Sequence, residues 1–277
     1  MKKAAMGFSL LIVILCSAAF AYSGEIGSHS LDKLMELSGL NKQVAEFPGM
    51  VRAGVEHTRQ QGSTIPDAEF DAVVNSIGDA FQPSDILRAI RAEVKKSLSE
   101  AEAETLMSWY ESALGKKITK AEEEASTPAA FKEMMSDAES LLADQERVGI
   151  ANTLDELTHS TDRAIQIGEN AEMAVFTALS KAINPEKPVP VEAFKSQMSA
   201  QKQQIRTETK QMVTISSVYT YKDIDISSLK KYIEFNERPN TQKFNNSVMK
   251  GMDAAFNQAI DNLAASMATA FKEKHKR

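Results

Sequence analysis

Residues 98–118, LSEAEAETLMSWYESALGKKI, and residues 226–244, ISSLKKYIEFNERPNTQKF, share one pattern. Each stretch reads as a short amphipathic helix, a break, and a second helix that is entered through a basic, polar turn. In the first stretch, Ser99 and Glu102 have the spacing of a capping box, which fixes the start of a helix. We call these stretches the first and second cassettes, and we expect the chain to be organised around them.

The first cassette contains an aromatic pair and a glycine turn. Trp109 and Tyr110 fall on the predicted apolar face, and we favour a place in the core over a binding role for them. Gly115 is expected to end this helix in the left-handed conformation. Lys116 and Lys117 could hold an anion together with backbone N–H groups, but solvated lysines are the favoured interpretation.

The sequence outside the cassettes also recurs. LMELSGLNKQVAEFP, from Leu34, aligns with LDELTHSTDRAIQIG, from Leu154, at an offset of 120 residues, and the cassettes align at an offset of 126. These alignments predict two related helical units, residues 26–148 and residues 149–277. A period near 120 is too long for a solenoid built from modules of about 34 or 40 residues.

Apolar residues at helical spacing run through both units, and Ala, Leu, Met, Glu and Lys are plentiful. These features predict an all-α fold, a helical bundle or array without convincing strands. Gly39 is expected to end a helix in the left-handed conformation, and Pro48 to kink or divide the next one. Thr127 and Pro128 should open one helix that continues to Leu142, and the last helix is expected to start at Thr241.

Residues 1–21 have the features of a cleaved signal peptide: two lysines, an apolar run and an Ala-Phe-Ala cleavage site. We therefore expect an exported protein of the periplasm. Cys16 raises a lipoprotein alternative, which is disfavoured because Leu15 stands where a small residue is expected. No later stretch is apolar enough to span a membrane.

The chain carries a net charge of −6, and Lys2 and Lys3 would leave with the signal peptide. An acidic chain whose one basic block is its last six residues is not expected to bind nucleic acid. Without Cys16, the mature chain has no cysteine for a disulfide, a metal site or a nucleophile.

The polar residues of the segment that leads into the second cassette, inside the second predicted unit, give the most interesting constellation. Tyr219 and Tyr221 alternate in a segment that we expect to be extended, which would place both rings on one side, with Asp223 nearby. They could line a pocket or bind a partner, although packing with satisfied hydroxyls is favoured. Tyr232 and Phe235 in the second cassette complete the candidate interaction residues.

Residue patterns typical of catalysis are missing from the sequence. The four histidines are dispersed, and none lies four residues from another on a helix. Nucleophile-elbow, phosphate-loop and dinucleotide-binding motifs are absent. We therefore predict no catalytic residue, no metal and no cofactor. His159 is expected to stand at a helix end.

Within the first cassette, the segment from Trp109 to Lys117 resembles a family of exported bacterial proteins known as domain of unknown function 2059. Leu34 to Gln43 and Tyr219 to Phe244 are also similar to that family, so the resemblance extends over most of the mature chain. Ala113, where the family often has proline, and Thr241, in place of the glycine, depart from its pattern. The resemblance implies a helical fold and export, and it brings no activity.

We expect a non-catalytic periplasmic binding or interaction protein whose helical faces meet a protein, peptide or lipid partner of the cell envelope. Two alternatives stay open: a carrier with an apolar cavity between the units, and an envelope hydrolase that uses carboxylates and tyrosines. A homo-oligomer is also left open.

Overall fold

The computed structural model describes residues 24–60, 67–183 and 191–274, so the predicted signal peptide lies outside the described residues. Thirteen helices form within these ranges. In chain order they are α1 Ser28–Leu37, α2 Leu40–Gln60, α3 Asp67–Ala80, α4 Pro83–Ser97, α5 Glu100–Tyr110, α6 Ala113–Ala125, α7 Pro128–Ser136, α8 Ala138–Ala143, α9 Gln145–Thr158, α10 Ser160–Ile183, α11 Val191–Thr220, α12 Ile226–Asn236 and α13 Pro239–Lys274.

The only extended pairing in the described ranges is an isolated antiparallel bridge between Glu25 and Ser99. Its backbone hydrogen bonds include Ile26 N–H to the Leu98 carbonyl at 3.1 Å. This bridge ties the segment before α1 to the start of α5. The predicted all-α class is therefore confirmed for the part of the chain that the structure describes.

Two residues with left-handed backbone stop helices in corresponding places. Gly39 has φ +74° between α1 and α2, and His159 has φ 55° between α9 and α10. The left-handed Gly39 and the helix-end position of His159 were both predicted. A Cβ at Gly39 would lie 2.8 Å from Thr119 Cγ2, so glycine also suits the close approach of α6 there. The two stops are 120 residues apart, the offset at which the sequence aligns.

The two cassettes have matching helix bounds. Helices α5 and α12 begin 126 residues apart, and so do α6 and α13. Pro239 opens α13, two residues before the predicted start at Thr241, because proline at the first helical position loses no intrahelical hydrogen bond. Thr241 takes the place of Gly115 and is fully buried.

Helix α13 is the centre of the packing, since it lies along both α4 and α10. A Cβ on Gly251 of α13 would lie 2.4 Å from the Ile90 Cα of α4, and Ile90 has no exposed surface. The absent side chain at Gly251 therefore lets the two helix backbones approach closely.

One large apolar core includes α1, α4 and α5 from the first predicted unit and α12 and α13 from the second. Phe47 of α2 stacks on Phe256 of α13, with 4.4 Å between ring centroids and 16° between planes. Phe81 meets the same Phe256 ring edge-on at 6.1 Å. The boundary between residues 148 and 149 stays a prediction.

Two local expectations differ from the structure. Helix α2 continues through Pro48, so the division that was one of the two expected outcomes does not occur, and the alternative, a kink, stays a prediction. Phe47 and Val51 on either side pack against the core, which offsets the one hydrogen bond that proline cannot donate. The expected helix from residue 128 to residue 142 is wrong, since Asp137 separates α7 from α8.

Candidate functional site

Each of the two helices of the first cassette begins at a serine cap. The Ser99 hydroxyl accepts from Glu102 N–H, and Glu102 Oε2 accepts from Ser99 N–H at 2.8 Å, which confirms the predicted capping box. Helix α5 ends at Tyr110, and the Ser112 hydroxyl caps α6 by accepting from Gly115 N–H at 3.0 Å.

Gly115 lies in the first turn of α6, so the prediction that it ends the preceding helix is wrong. A Cβ at this position would lie 2.2 Å from the Trp109 carbonyl oxygen. Glycine is required here for close approach rather than for a left-handed backbone. Lys116 and Lys117 follow on α6 and are exposed.

Four of the predicted candidates form one aromatic cluster across the two cassettes. Trp109 stacks on Phe235 with 3.7 Å between centroids and 6° between planes, and on Tyr232 at 5.6 Å. Tyr110 meets the Phe235 edge at 5.7 Å. Phe235 is 2% exposed and Tyr110 8%, whereas Trp109 and Tyr232 are half-buried. The cluster is mainly core, with Tyr232 at its edge.

Tyr219 and Tyr221 do not share a side of an extended segment, contrary to the sequence expectation. Helix α11 continues to Thr220, and a turn stabilised by Tyr221 N–H bonded to the Ser217 carbonyl follows. Residues two apart on helical backbone point in different directions. Each ring therefore joins a separate cluster, and Asp223 is exposed.

Tyr219 is buried in a small apolar core shared with α7, and its hydroxyl meets exposed polar residues at the edge of that core. Its hydroxyl donates to Glu133 Oε2 at 2.9 Å, and Lys222 Nζ donates to Glu133 Oε1 at 2.8 Å. The Lys222 ammonium also lies 4.1 Å from the centre of the Tyr219 ring. These hydrogen bonds, chiefly that from Lys222, lower the pKa of Glu133. The arrangement fastens the end of α11 to α7.

Tyr221 and Tyr232 meet at a carboxylate that the sequence analysis did not select. Both hydroxyls donate to Oε1 of Glu122 on α6, each at 2.7 Å. Glu122 Oε2 accepts no hydrogen bond from the residues that the structure describes. Burial raises the pKa of Glu122 despite the two donors, and burial followed by the Glu122 charge raises the pKa of both tyrosines.

The helical spacing contained a signal for Glu122. Gly115, Ile118 and Thr119 are the buried residues of α6. Glu122 follows Ile118 by four residues and Thr119 by three, so it lies on the same helix face. A carboxylate on a buried face is unusual and points to a partner or a function.

Arg147 of α9 fixes the turn that carries Tyr221. Its Nη1 donates to the carbonyl oxygens of Tyr221 at 2.6 Å and Ile224 at 2.9 Å. Asp225 then caps α12 by accepting from Ser228 N–H at 2.9 Å. The turn between α11 and α12 is therefore held at both ends, which sets the position of the Tyr221 ring, 5.6 Å from that of Tyr232.

A cavity of about 620 Å³ opens beside the cluster of Glu122, Tyr221 and Tyr232. Its wall is formed mainly by α2, α6, α9 and α11, and apolar and small side chains predominate. The lining residues are Leu40, Gln43, Val44, Phe47, Met50, Ile86, Glu122, Ala125, Ser126, Ala151, Leu154, Asp155, Thr158, Ser160, Met212, Val213, Ser216, Ser217, Thr220, Tyr221, Tyr232, Asn236 and Met252.

Asp155, the second carboxylate of the lining, is held by the start of α10. Its Oδ1 accepts from Thr161 N–H and its Oδ2 from the Thr161 hydroxyl, both at 2.7 Å. Among the described residues, no group of three or more His, Cys, Asp or Glu side chains is placed to hold a metal ion. None of the helices in the described ranges has the length and apolar character needed to cross a membrane.

Part of the chain matches the model of a bacterial protein family. Residues 85–144 match the model of a family described as "Uncharacterized protein conserved in bacteria (DUF2059)". No curated protein and no solved structure matches the chain. The match contains the first cassette and Glu122, whereas residues 34–43 and 219–244, which also carried the resemblance, lie outside it. The predicted resemblance to this bacterial family is thus confirmed over residues 85–144.

Proposed function

We propose that the protein is an exported, non-catalytic binding protein that carries an apolar ligand in the cavity between α2, α9 and α11. The observation that supports this function is the cavity itself. Its volume of about 620 Å³ lies within the range of about 300–1,000 Å³ that is usual for small-molecule sites. Most of the exposed surface of its wall is apolar, which is also typical of such sites.

The hydrogen bonding of the two lining carboxylates favours binding over hydrolysis. Both oxygens of Asp155 accept hydrogen bonds from Thr161 and hold the start of α10. Glu122 Oε1 already accepts two tyrosine hydroxyls. A general acid and base pair needs two carboxyl groups that are free to exchange protons with substrate, so these groups suit recognition better.

We further propose that the chain consists of two related units, residues 26–148 and 149–277. The equal cassette bounds and the left-handed stops at Gly39 and His159 support this division. The cavity would then lie between the units, because Val44 and Glu122 come from the first and Leu154 and Val213 from the second. Export to the periplasm is proposed from residues 1–21.

The test is native mass spectrometry of the protein purified gently from its producing cell, compared with a variant whose cavity is filled. Val213→Trp adds a large side chain to the wall of the cavity. Gln211→Trp adds the same side chain at an exposed position of α11 outside the lining and serves as the matched control.

We expect a bound small mass, released on denaturation, in the wild-type protein and in Gln211→Trp, and its loss in Val213→Trp. A ligand-free wild-type protein that also fails to bind an apolar fluorescent dye would refute the carrier function. Chemical conversion of the bound molecule on incubation would instead favour the hydrolase alternative.

A further inference from the structure

We propose that the ligand is an amphiphilic amine, an apolar molecule whose protonated amino group meets the carboxylate of Glu122 beside Tyr221 and Tyr232. This inference rests on the proposed function, because it names the class of ligand for the same cavity. Three features support it: the hydrogen-bond capacity of the cluster, the charge of the wall and the aromatic rings next to the carboxylate.

The hydrogen-bond capacity of the cluster calls for a donor on the ligand. A tyrosine hydroxyl has one proton to donate, and the hydroxyls of Tyr221 and Tyr232 both donate theirs to Glu122 Oε1. The capacity that remains consists of acceptors, namely Glu122 Oε2 and the lone pairs of the two phenolic oxygens. An ammonium group offers up to three N–H donors to such acceptors, whereas a ligand carboxylate offers none.

The charge of the wall has the sign that attracts a cation. The described residues that line the cavity include two carboxylic acids, Glu122 and Asp155, and no Lys, Arg or His. Asp155 keeps its hydrogen bonds to Thr161, so Glu122 is the carboxylate available to a ligand. An anionic head group would have no basic partner on this wall and would face two carboxylates, which is unfavourable in a partly desolvated site.

The aromatic rings add to the preference for a cation. The rings of Tyr221 and Tyr232 both line the cavity, with centroids 5.6 Å apart and planes inclined by 60°. A cation near their faces is attracted by the ring quadrupoles. Trp109 stacks on Tyr232 at 5.6 Å and keeps that ring in place.

The rest of the wall suits the apolar body of such a ligand. Its apolar residues include Leu40, Val44 and Phe47 on α2, Leu154 on α9 and Met252 on α13. Methionine side chains adapt their shape to varied apolar partners, and Met212, the one exposed large apolar side chain among the described residues, also belongs to the lining. The ligand therefore combines a hydrocarbon body with one cationic end.

The experiment measures, by isothermal titration calorimetry, the binding of dodecylamine, dodecanol and dodecanoic acid to the full mature protein. These three probes share a chain and differ in the head group. The wild-type protein should bind dodecylamine at least about 10-fold more tightly than dodecanoic acid. Glu122→Gln should weaken dodecylamine binding by about 10-fold or more while changing dodecanol binding by less than about 3-fold.

Glu123→Gln is the matched control, since Glu123 is the next residue of α6, pairs with Lys42 at 2.9 Å and does not line the cavity. It removes the same charge and should leave the binding of all three probes unchanged. Dodecanoic acid binding as tightly as dodecylamine, or unchanged dodecylamine binding in a folded Glu122→Gln, overturns the amine proposal.

The outcomes also separate the two proposals. Binding of dodecanol without any preference for the amine overturns the ligand class and leaves the carrier function standing. Binding of none of the three probes counts against both. The wild-type comparison of amine with acid decides the ligand class even where the Glu122→Gln variant does not fold.

Discussion

The ring of Trp109 lies flat against the ring of Phe235, with centroids 3.7 Å apart and 6° between planes. The two residues are 126 positions apart and occupy the same place in the two cassettes, at the penultimate position of α5 and of α12. The cassettes therefore meet through equivalent residues. This contact joins the two cassettes. Tyr232, which stacks on Trp109, donates a hydrogen bond to Glu122.

Loss of the Phe235 ring should destabilise the protein strongly. Phe235→Ala is expected to lower the free energy of unfolding by about 3–5 kcal/mol, because the ring is buried and its removal leaves a cavity. Trp109→Ala combined with it in a double-mutant cycle should show a coupling of about 0.5–1.5 kcal/mol. Urea unfolding followed by circular dichroism measures both quantities. Strictly additive single effects would contradict a direct stacking contribution.

Gly251→Ala adds only one methyl group, yet it should destabilise the protein strongly. The new Cβ would collide with the Ile90 backbone, so α13 and α4 would have to separate, at a cost of about 1–3 kcal/mol or more. Gly149→Ala on α9 is the control. Nothing lies within 4 Å of a Cβ there, and alanine in a helix should gain up to about 1 kcal/mol. Thermal unfolding should move in opposite directions for the two variants.

Removal of the Arg147 guanidinium should release the turn before α12. Arg147→Met leaves the carbonyl oxygens of Tyr221 and Ile224 without this donor and is expected to cost about 2–3 kcal/mol of stability. Arg88→Met removes an exposed ion pair with Asp85 and should cost less than about 1 kcal/mol. Urea titrations of both variants would test this. Equal small losses would mean that Arg147 does not hold the turn.

Glu122 should give the folded protein a distinctive pH dependence. Its pKa is raised above the ordinary value by burial, so the folded state holds this proton at a pH where the unfolded state has lost it. The contribution of Glu122 to stability is therefore present below its ordinary pKa and is lost as the pH rises through the raised pKa.

The measurement compares the free energy of unfolding of the wild-type protein with that of Glu122→Gln between about pH 4 and pH 8. The wild-type value should fall relative to the variant as the pH rises through the window between the two pKa values and should stay level above it. Glu124→Gln removes an exposed carboxylate of the same helix. This control shows how far the loss of a surface charge alone changes the pH dependence of stability. A wild-type free energy of unfolding that rises relative to the variant over this range would contradict the raised pKa.

Local features of the fold were predictable because short-range chemistry fixes them. The capping box of Ser99 and Glu102 depends on residues three apart. The left-handed Gly39 follows from the low cost of positive φ for glycine. The helices follow from apolar spacing that one segment displays by itself. The error at Gly115 arose because glycine is required there by the closeness of the Trp109 carbonyl oxygen. That closeness depends on how tightly the chain turns between the two helices.

The candidate site was predictable only in part. Trp109, Tyr110, Tyr232 and Phe235 were selected as aromatic residues of the cassettes, and the structure brings them together. Tyr219 and Tyr221 were selected as a pair, yet they serve different clusters because α11 extends farther than the sequence pattern indicated. Their separation is a consequence of helical rather than extended backbone.

By itself, the sequence determined the helical class, the capping box at Ser99 and the helix ends at Gly39 and His159, because each depends on neighbouring residues along the chain. Tertiary structure alone decided that Glu122 receives Tyr221 from 99 residues away and Tyr232 from 110 residues away. It also decided that a cavity opens beside them. The physical reason is that the burial of a carboxyl group depends on which distant helices pack around it. That burial raises the pKa of the group and strengthens its hydrogen bonds to its partners.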